Sequence, residues 1–82
     1  MIVVVKLLWR PQILQVDIDP HESIYTLKEM FCRLYNHSEL TWSKHITPKS
    51  IKMSFQGVIL RDDQILVDCQ LSEKSRVMAS RF

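Results

Sequence analysis

The spacing of apolar residues changes twice along this chain, and that change restricts the possible folds more than any other feature of the sequence. Residues 1–8 and 13–19 alternate from one side of the chain to the other, as β-strands do. Residues 24–35 instead carry apolar side chains at the three- and four-residue spacing of a helix. Alternation returns from Ile51 onward. The pattern predicts an α+β domain with the element order β-β-α-β-β-β.

The first two strands are expected to form an antiparallel hairpin. Lys6 marks the solvent side of the first run, and Trp9–Gln12 is a short link that contains Pro11. The side chains expected to point into the core are Val3, Val5, Leu7, Leu14, Val16 and Ile18. A helix laid across this side of the sheet would bury them.

The helix is predicted to run from Ile24 to Tyr35 and to end near Asn36. Ser23 precedes it as an N-cap, since its hydroxyl can accept a hydrogen bond from a free N–H of the first turn. The apolar stripe expected to face the sheet consists of Ile24, Leu27, Phe31 and Leu34. Residues 36–50 show no clear period and are predicted to form a loop, which is long for so small a domain.

The second half of the chain holds the only glycine. Ile51, Met53 and Phe55 alternate as a third strand, and Gln56–Gly57 follows them as a turn. Gly57 is expected there because a sharp turn between strands favours a residue that adopts positive φ or allows a close backbone approach. Residues 59–60 and 76–82 are predicted to form the last two strands, with Leu60, Val77 and Ala79 in the core.

Composition limits the chain to an ordinary small domain. Its 82 residues are 46% hydrophobic and 24% charged, with a net charge of +2 that is spread along the whole chain. No apolar stretch is long enough for a membrane span. The two cysteines, Cys32 and Cys69, do not form a disulfide framework and favour a reducing cytoplasmic or nuclear setting. We expect a monomeric domain that spans residues 1–82.

Enzymatic and metal chemistry lack a supporting motif. Cys32, Cys69, His37 and His45 include no Cys-x-x-Cys or His-x-x-x-His pair, so no zinc site or other cofactor is predicted. Cys32 follows Phe31 on the predicted helix, and no glycine-rich oxyanion turn comes after it. Asp62 and Asp63 are the only adjacent carboxylates, and a turn explains them. No enzyme is predicted.

Several short motifs, in this order and at this spacing, make the chain resemble the ubiquitin superfamily. They are the start MIVVVK, the segment SIYTLKE that opens the helix, and HITPKSIKMSFQGVILRDD around the third strand. The resemblance covers most of the chain and implies a β-grasp fold, a mixed sheet of four to five strands packed on one helix. It also implies an insert after the helix, Asn36–Lys44, which contains Trp42.

The resemblance separates this domain from the conjugated members of the family. Those proteins end in Gly-Gly, whereas this sequence closes with Ser80-Arg81-Phe82. Val58 and Glu73 occupy the positions of the family's two main chain-building lysines. The resemblance therefore implies a non-conjugated domain, expected at the N-terminus of a longer protein. It also implies an ion pair between Lys28 and Asp62.

The family's usual recognition surface is changed here. Its three aliphatic positions hold Leu8, Ser54 and Ser80, and Met78 stands for the family's histidine. Apolar residues have been gained nearby at Val58, Ile59 and Phe82. The predicted protein-binding surface, on the exposed side of strands one, three and five, consists of Leu8, Trp9, Lys52, Ser54, Gly57, Val58, Ile59, Met78, Ser80 and Phe82.

These residues predict a non-catalytic interaction module of the ubiquitin-proteasome system. The partner expected from the resemblance is a proteasome subunit, a ubiquitin-system enzyme or another domain of the parent chain. A Ras-association-like or scaffold domain that binds a GTPase, signalling or RNA-processing protein is the alternative. Trp9 and Arg10 with Lys44, Lys49 and Lys52 suggest a nucleic-acid surface, but the mild charge and the missing RNP-like strand argue against it.

Overall fold

The computed structural model describes residues 1–38 and 45–82. Within these residues the strands are β1 (Ile2–Leu7), β2 (Ile13–Asp17), β3 (Ile51–Phe55), β4 (Val58–Ile59) and β5 (Ser75–Arg81). The helix α1 (Ile24–Ser38) lies between β2 and β3, and 3₁₀ turns form at Pro48–Ser50 and Leu66–Cys69. The predicted element order is confirmed. No helix in the described part of the chain is long and apolar enough to cross a membrane.

The strands form one mixed sheet with the order β2-β1-β5-β3-β4. β1 and β2 pair antiparallel in the predicted hairpin, whereas β1 and β5 run parallel at the centre of the sheet. β3 pairs antiparallel with both β5 and β4. The two ends of the chain therefore meet in the middle of the sheet, and β2 and β4 form its edges.

The core lies between the helix and one side of the sheet. The predicted inward residues Val3, Val5 and Leu7 are fully or almost fully buried, as are Val77 and Ala79. They belong to one cluster with the apolar side chains of the helix. The alternation that the sequence displayed thus gave the correct inner side of each central strand.

The start of the helix follows the predicted capping. The backbone N–H of Thr26 donates to Ser23 Oγ at 3.1 Å, and the N–H of Leu27 donates to the Ser23 carbonyl oxygen at 3.1 Å. The Ser23 hydroxyl thus satisfies one donor that the first turn leaves without an intrahelical partner, and the Ser23 carbonyl oxygen accepts the first intrahelical hydrogen bond.

The predicted end of the helix is wrong by three residues, because Asn36 does not end it. Its side chain instead clamps the returning segment: Asn36 Nδ2 donates to the Ile46 carbonyl oxygen and Ile46 N–H donates to Asn36 Oδ1, both at 2.8 Å. The first three residues of the predicted insert Asn36–Lys44 are thus helical. The other six, including Trp42, lie outside the described residues.

Leu34 does not face the core as predicted. The buried stripe continues from Phe31 to Tyr35, four residues on, and Leu34 is 44% exposed. Tyr35 is the better core residue because its ring packs against Trp9 and its hydroxyl accepts a hydrogen bond there.

The turn at the only glycine has the predicted backbone. Gln56 and Gly57 both have positive φ, 53° and 81°, between the paired residues Phe55 and Val58. A two-residue hairpin loop of type I′ needs positive φ at both central positions. A Cβ at Gly57 would meet no atom within 4 Å, so the conformation and not the available space favours glycine. The short loop also moves β4 one residue earlier than predicted.

Candidate functional site

The side of the sheet that faces away from the helix presents the candidate site, and we call it the outer face. Residues that pair across neighbouring strands project to the same side, so the register defines its rows. The row through the middle of the sheet consists of Ile13, Lys6, Met78, Ser54 and Ile59. Met78 lies at its centre and is 44% exposed.

A second row lies toward the end of β5. Lys52 pairs with Ser80, and the N–H of Leu8 donates to the Ala79 carbonyl oxygen at 2.9 Å, which places Leu8 beside Ser80. Phe82 follows the strand, held by a hydrogen bond from its N–H to the Ser50 carbonyl oxygen at 3.2 Å. The Phe82 side chain is 82% exposed, the largest value among the exposed large apolar residues.

A third row carries a charge that the predicted site did not include. Val4 pairs with Arg76, two residues before Met78 on the same strand. The side chains around Arg76 enclose a hollow of about 250 Å³, lined by Lys6, Ser54, Gln56, Gly57, Arg76 and Met78. We call this feature the basic hollow.

Val58 and Ile59, predicted to act together, project to opposite sides of the sheet. Ile59 pairs with Ser54 and belongs to the outer face. Val58 pairs with Phe55 on the helix side and lines a separate hollow of about 190 Å³ with Leu60 and Cys69. Both side chains are more than half exposed, but they do not form one apolar patch.

Trp9 also lies away from the outer face. Its Nε1 donates to the Tyr35 hydroxyl at 3.2 Å, and the two rings meet edge to face at 5.8 Å between centroids. The guanidinium of Arg81 lies 5.3 Å from the centroid of the Trp9 ring. Trp9 therefore joins the hairpin link to the helix, in a position between core and solvent.

The outer-face residues that were missing from the predicted site include Ile13, Lys6 and Arg76. Strand parity could have found them, because Lys6 alternates in phase with Leu8, and Arg76 alternates in phase with Met78. Ile13 directly precedes Leu14, which was predicted to face the core, so the same alternation places Ile13 on the outer side. The predicted residues Leu8, Lys52, Ser54, Ile59, Met78, Ser80 and Phe82 lie on or beside this face, with Gly57 at its edge.

The predicted ion pair between the helix and the Asp62 turn is confirmed. Lys28 Nζ lies 2.6 Å from Asp62 Oδ1, with the lysine side chain only 6% exposed and the aspartate side chain 49% exposed. This pair is far from the outer face in the fold, because the helix covers the other side of the sheet. Its role is to satisfy a buried charge.

The cysteines have the properties of structural thiols. Burial raises the pKa of Cys32 to about 11, and burial also raises the pKa of Cys69. Both shifts reduce the fraction of the cysteine that is present as thiolate, which is the nucleophilic form. Among the described residues, no group of three or more His, Cys, Asp or Glu side chains could hold a metal ion.

The five-stranded mixed sheet with its helix on one side defines a β-grasp domain. The sequence model of the ubiquitin family matches residues 3–81, and the chain belongs to that family. No curated protein matches the chain at a significant level.

Proposed function

We propose that this domain is a non-catalytic protein-interaction module that links its parent protein to the ubiquitin-proteasome system in the cytoplasm or nucleus. The observation that carries the proposal is the apolar content of the outer face. Five large apolar side chains are exposed on it or at its end: Leu8, Ile13, Ile59, Met78 and Phe82. Scattered apolar residues are ordinary on a protein surface, but these five share one side of the sheet, where they alternate with polar residues such as Lys6 and Ser54, and such a mixed surface suits contact with another protein.

The free energy available from this apolar surface indicates how tightly the domain can bind. Covering five side chains that are already partly buried would yield about 5 kcal/mol in total, at about 1 kcal/mol for each. Association costs at least about 4 kcal/mol before any gain appears. Apolar contact alone therefore supports weak binding, and a partner needs polar contacts with the same face.

The proposal is tested by retention of purified proteasomes on the immobilised domain. Met78→Asn is the informative variant, since it puts a polar amide at the centre of the outer face. Leu34→Asn is the matched control, because Leu34 has the same exposed fraction and lies on the helix. We expect the first variant to weaken retention about tenfold and the control to leave it unchanged.

Two results would contradict the proposal. Equal weakening by both variants would show that the outer face has no special role. Absence of retention by the unmodified domain would remove the link to the proteasome.

A second candidate function is that of a scaffold β-grasp domain that binds a GTPase or signalling protein through the edge strand β2. The N–H of Leu7 donates to the Gln12 carbonyl oxygen, and the N–H of Ile18 donates to the Met1 carbonyl oxygen. Because hydrogen-bonded and non-bonded pairs alternate in an antiparallel ladder, the backbone groups of Ile13, Gln15 and Asp17 point to the open edge.

An added strand could pair with these outward groups. Gln15→Pro removes the central outward N–H while leaving the row through Met78 intact. Loss of partner binding in this variant, with binding retained in Met78→Asn, would favour the scaffold function. The reverse result favours the outer face.

A further inference from the structure

We propose that the basic hollow binds an acidic side chain of the protein segment that covers the outer face. The proposal names the partner chemistry of the surface described under the proposed function and rests on that function. An apolar face alone binds weakly, and the basic hollow is where the required polar contact is available.

The register brings the two cations of the hollow together. Lys6 pairs with Met78 and Arg76 pairs with Val4, so Lys6 and Arg76 are diagonal neighbours on adjacent strands. Both side chains are exposed and both line the same hollow. Two positive charges that line one hollow repel each other, and an anion between them relieves that repulsion.

No acid within the described residues neutralises this pair. The charged side chains that line the hollow are Lys6 and Arg76 alone, and no ion pair or hydrogen bond involves either side chain in the described part of the chain. Asp17, at the corner of the face, is 3.4 Å from the N-terminal ammonium. Lys52, in the next row, adds to the positive potential.

The other walls of the hollow suit a carboxylate with an apolar neighbour. Ser54 contributes a hydroxyl and Gln56 an amide, both of which can donate to an anion, and Arg76 can bind a carboxylate through two N–H groups. Met78 and Ile59 flank this polar centre in the same row. The arrangement fits a segment in which acidic and aliphatic side chains alternate.

The volume also fits this assignment. A hollow of about 250 Å³ holds several water molecules at about 30 Å³ each, and the end of a glutamate side chain would displace part of that water. The hollow is open to solvent, so the ion pair would give a modest gain and a clear preference for acidic segments.

The test uses synthetic peptides and amide chemical shifts of the isotope-labelled domain. The probe is the acetylated peptide Leu-Glu-Leu-Glu-Leu amide, and its control has glutamine in place of both glutamates. We expect the acidic peptide to shift the amides of Lys6, Ser54, Gly57 and Arg76 and to bind about fivefold more tightly than the control. Equal binding of the two peptides would overturn the proposal.

Two variants then test whether the preference for the acidic peptide depends on the positive charge of the basic hollow. Arg76→Gln should remove the preference for the acidic peptide, whereas Lys49→Gln removes the same charge from an exposed turn outside the hollow and should keep it. An equal loss in both variants would reduce the effect to general electrostatics and overturn the proposal. A phosphoserine peptide that binds where the glutamate peptide does not would overturn the carboxylate assignment.

These outcomes are separable from those of the proposed function. If the unmodified domain does not retain proteasomes but the acidic peptide still prefers the hollow, the proteasome link fails and the anion site stands. If retention depends on Met78 but not on Arg76, and the peptides bind equally, the outer face stands and the anion site fails.

Discussion

At the scale of single residues, the buried ammonium of Lys28 depends on its ion pair with Asp62. It is the one charged side chain in the buried set, and its contact with Asp62 replaces the water that it lost. Removing one partner of such a pair is more costly than removing both, because the remaining charge is left uncompensated. The pair therefore holds the Asp62 turn against the helix.

Asp62→Asn should lower the free energy of unfolding by about 2 kcal/mol, measured by urea denaturation. This is below the 3–5 kcal/mol typical of fully buried pairs, since the aspartate is half exposed to water. The neighbouring Asp63→Asn should change stability by less than about 0.5 kcal/mol, because its ion pair with Arg61 is exposed. Equal effects of the two variants would show that Lys28 does not depend on Asp62.

The thiol of Cys32 gives a prediction about pH. Its pKa of about 11 lies two units above the ordinary value of 9.0, so at pH 8 the folded protein should contain about a hundredfold less Cys32 thiolate than the unfolded chain. Alkylation followed by mass spectrometry should therefore label Cys69 first, and Cys32 only on unfolding. Because the folded pKa is raised, this group also lowers stability as pH rises above about 9. Equal labelling rates in the folded protein would contradict the burial of Cys32.

Gly57 governs the hairpin that brings Ile59 to the outer face. Gly57→Ala should cost about 1 kcal/mol, since a residue with a Cβ is strained at φ of 81° even though space is available. Gln56→Asn should be neutral or stabilising by a few tenths of a kcal/mol, because Asn-Gly is the preferred sequence of this turn. Thermal denaturation measures both. A neutral Gly57→Ala would mean that the turn does not require positive φ.

At the scale of elements, the end of the helix is held by a side chain that imitates backbone pairing. Asn36 satisfies both the N–H and the carbonyl oxygen of Ile46, which is buried in the core. The clamp fixes where the chain returns to the domain before β3, whatever the conformation of the residues between.

Asn36→Ala should lower the free energy of unfolding by about 2 kcal/mol, because it leaves two buried backbone groups without these partners. His37→Ala, at the next and exposed helix position, should change it by less than about 0.5 kcal/mol. Urea denaturation of the two variants tests the clamp. A small effect of Asn36→Ala would show that water replaces the side chain at little cost.

At the scale of the whole molecule, the sequence was sufficient for the element order and for the inner side of the longer strands β1, β2, β3 and β5. Alternation around Val5 and Val77 reports burial directly, because one face of each strand meets the core. The helix end and the position of Leu34 could not be predicted, since both depend on tertiary contacts, those of Asn36 with Ile46 and of Tyr35 with Trp9.

The candidate site was predictable only in part, because some of its residues lie on alternating strands and others do not. Leu8, Met78 and Ser80 were found from the family pattern, and strand parity would have added Arg76. Trp9 and Val58 lie away from the outer face. Their direction could not be predicted, because a hairpin link and a two-residue strand have no long alternating run that would indicate it. The side on which such residues lie is set by packing and register, which a single sequence does not display.

The central claim is that the outer face binds a protein partner, and its most direct test is a map of amide signals from the isotope-labelled domain on addition of purified proteasomes. Binding to so large a partner broadens the signals of the residues in contact. If the outer face is the contact surface, the amide signals lost preferentially are those of Lys6, Leu8, Ser54, Ile59 and Met78. Loss confined to the helix and residues 36–44, with these five signals unchanged, would contradict it.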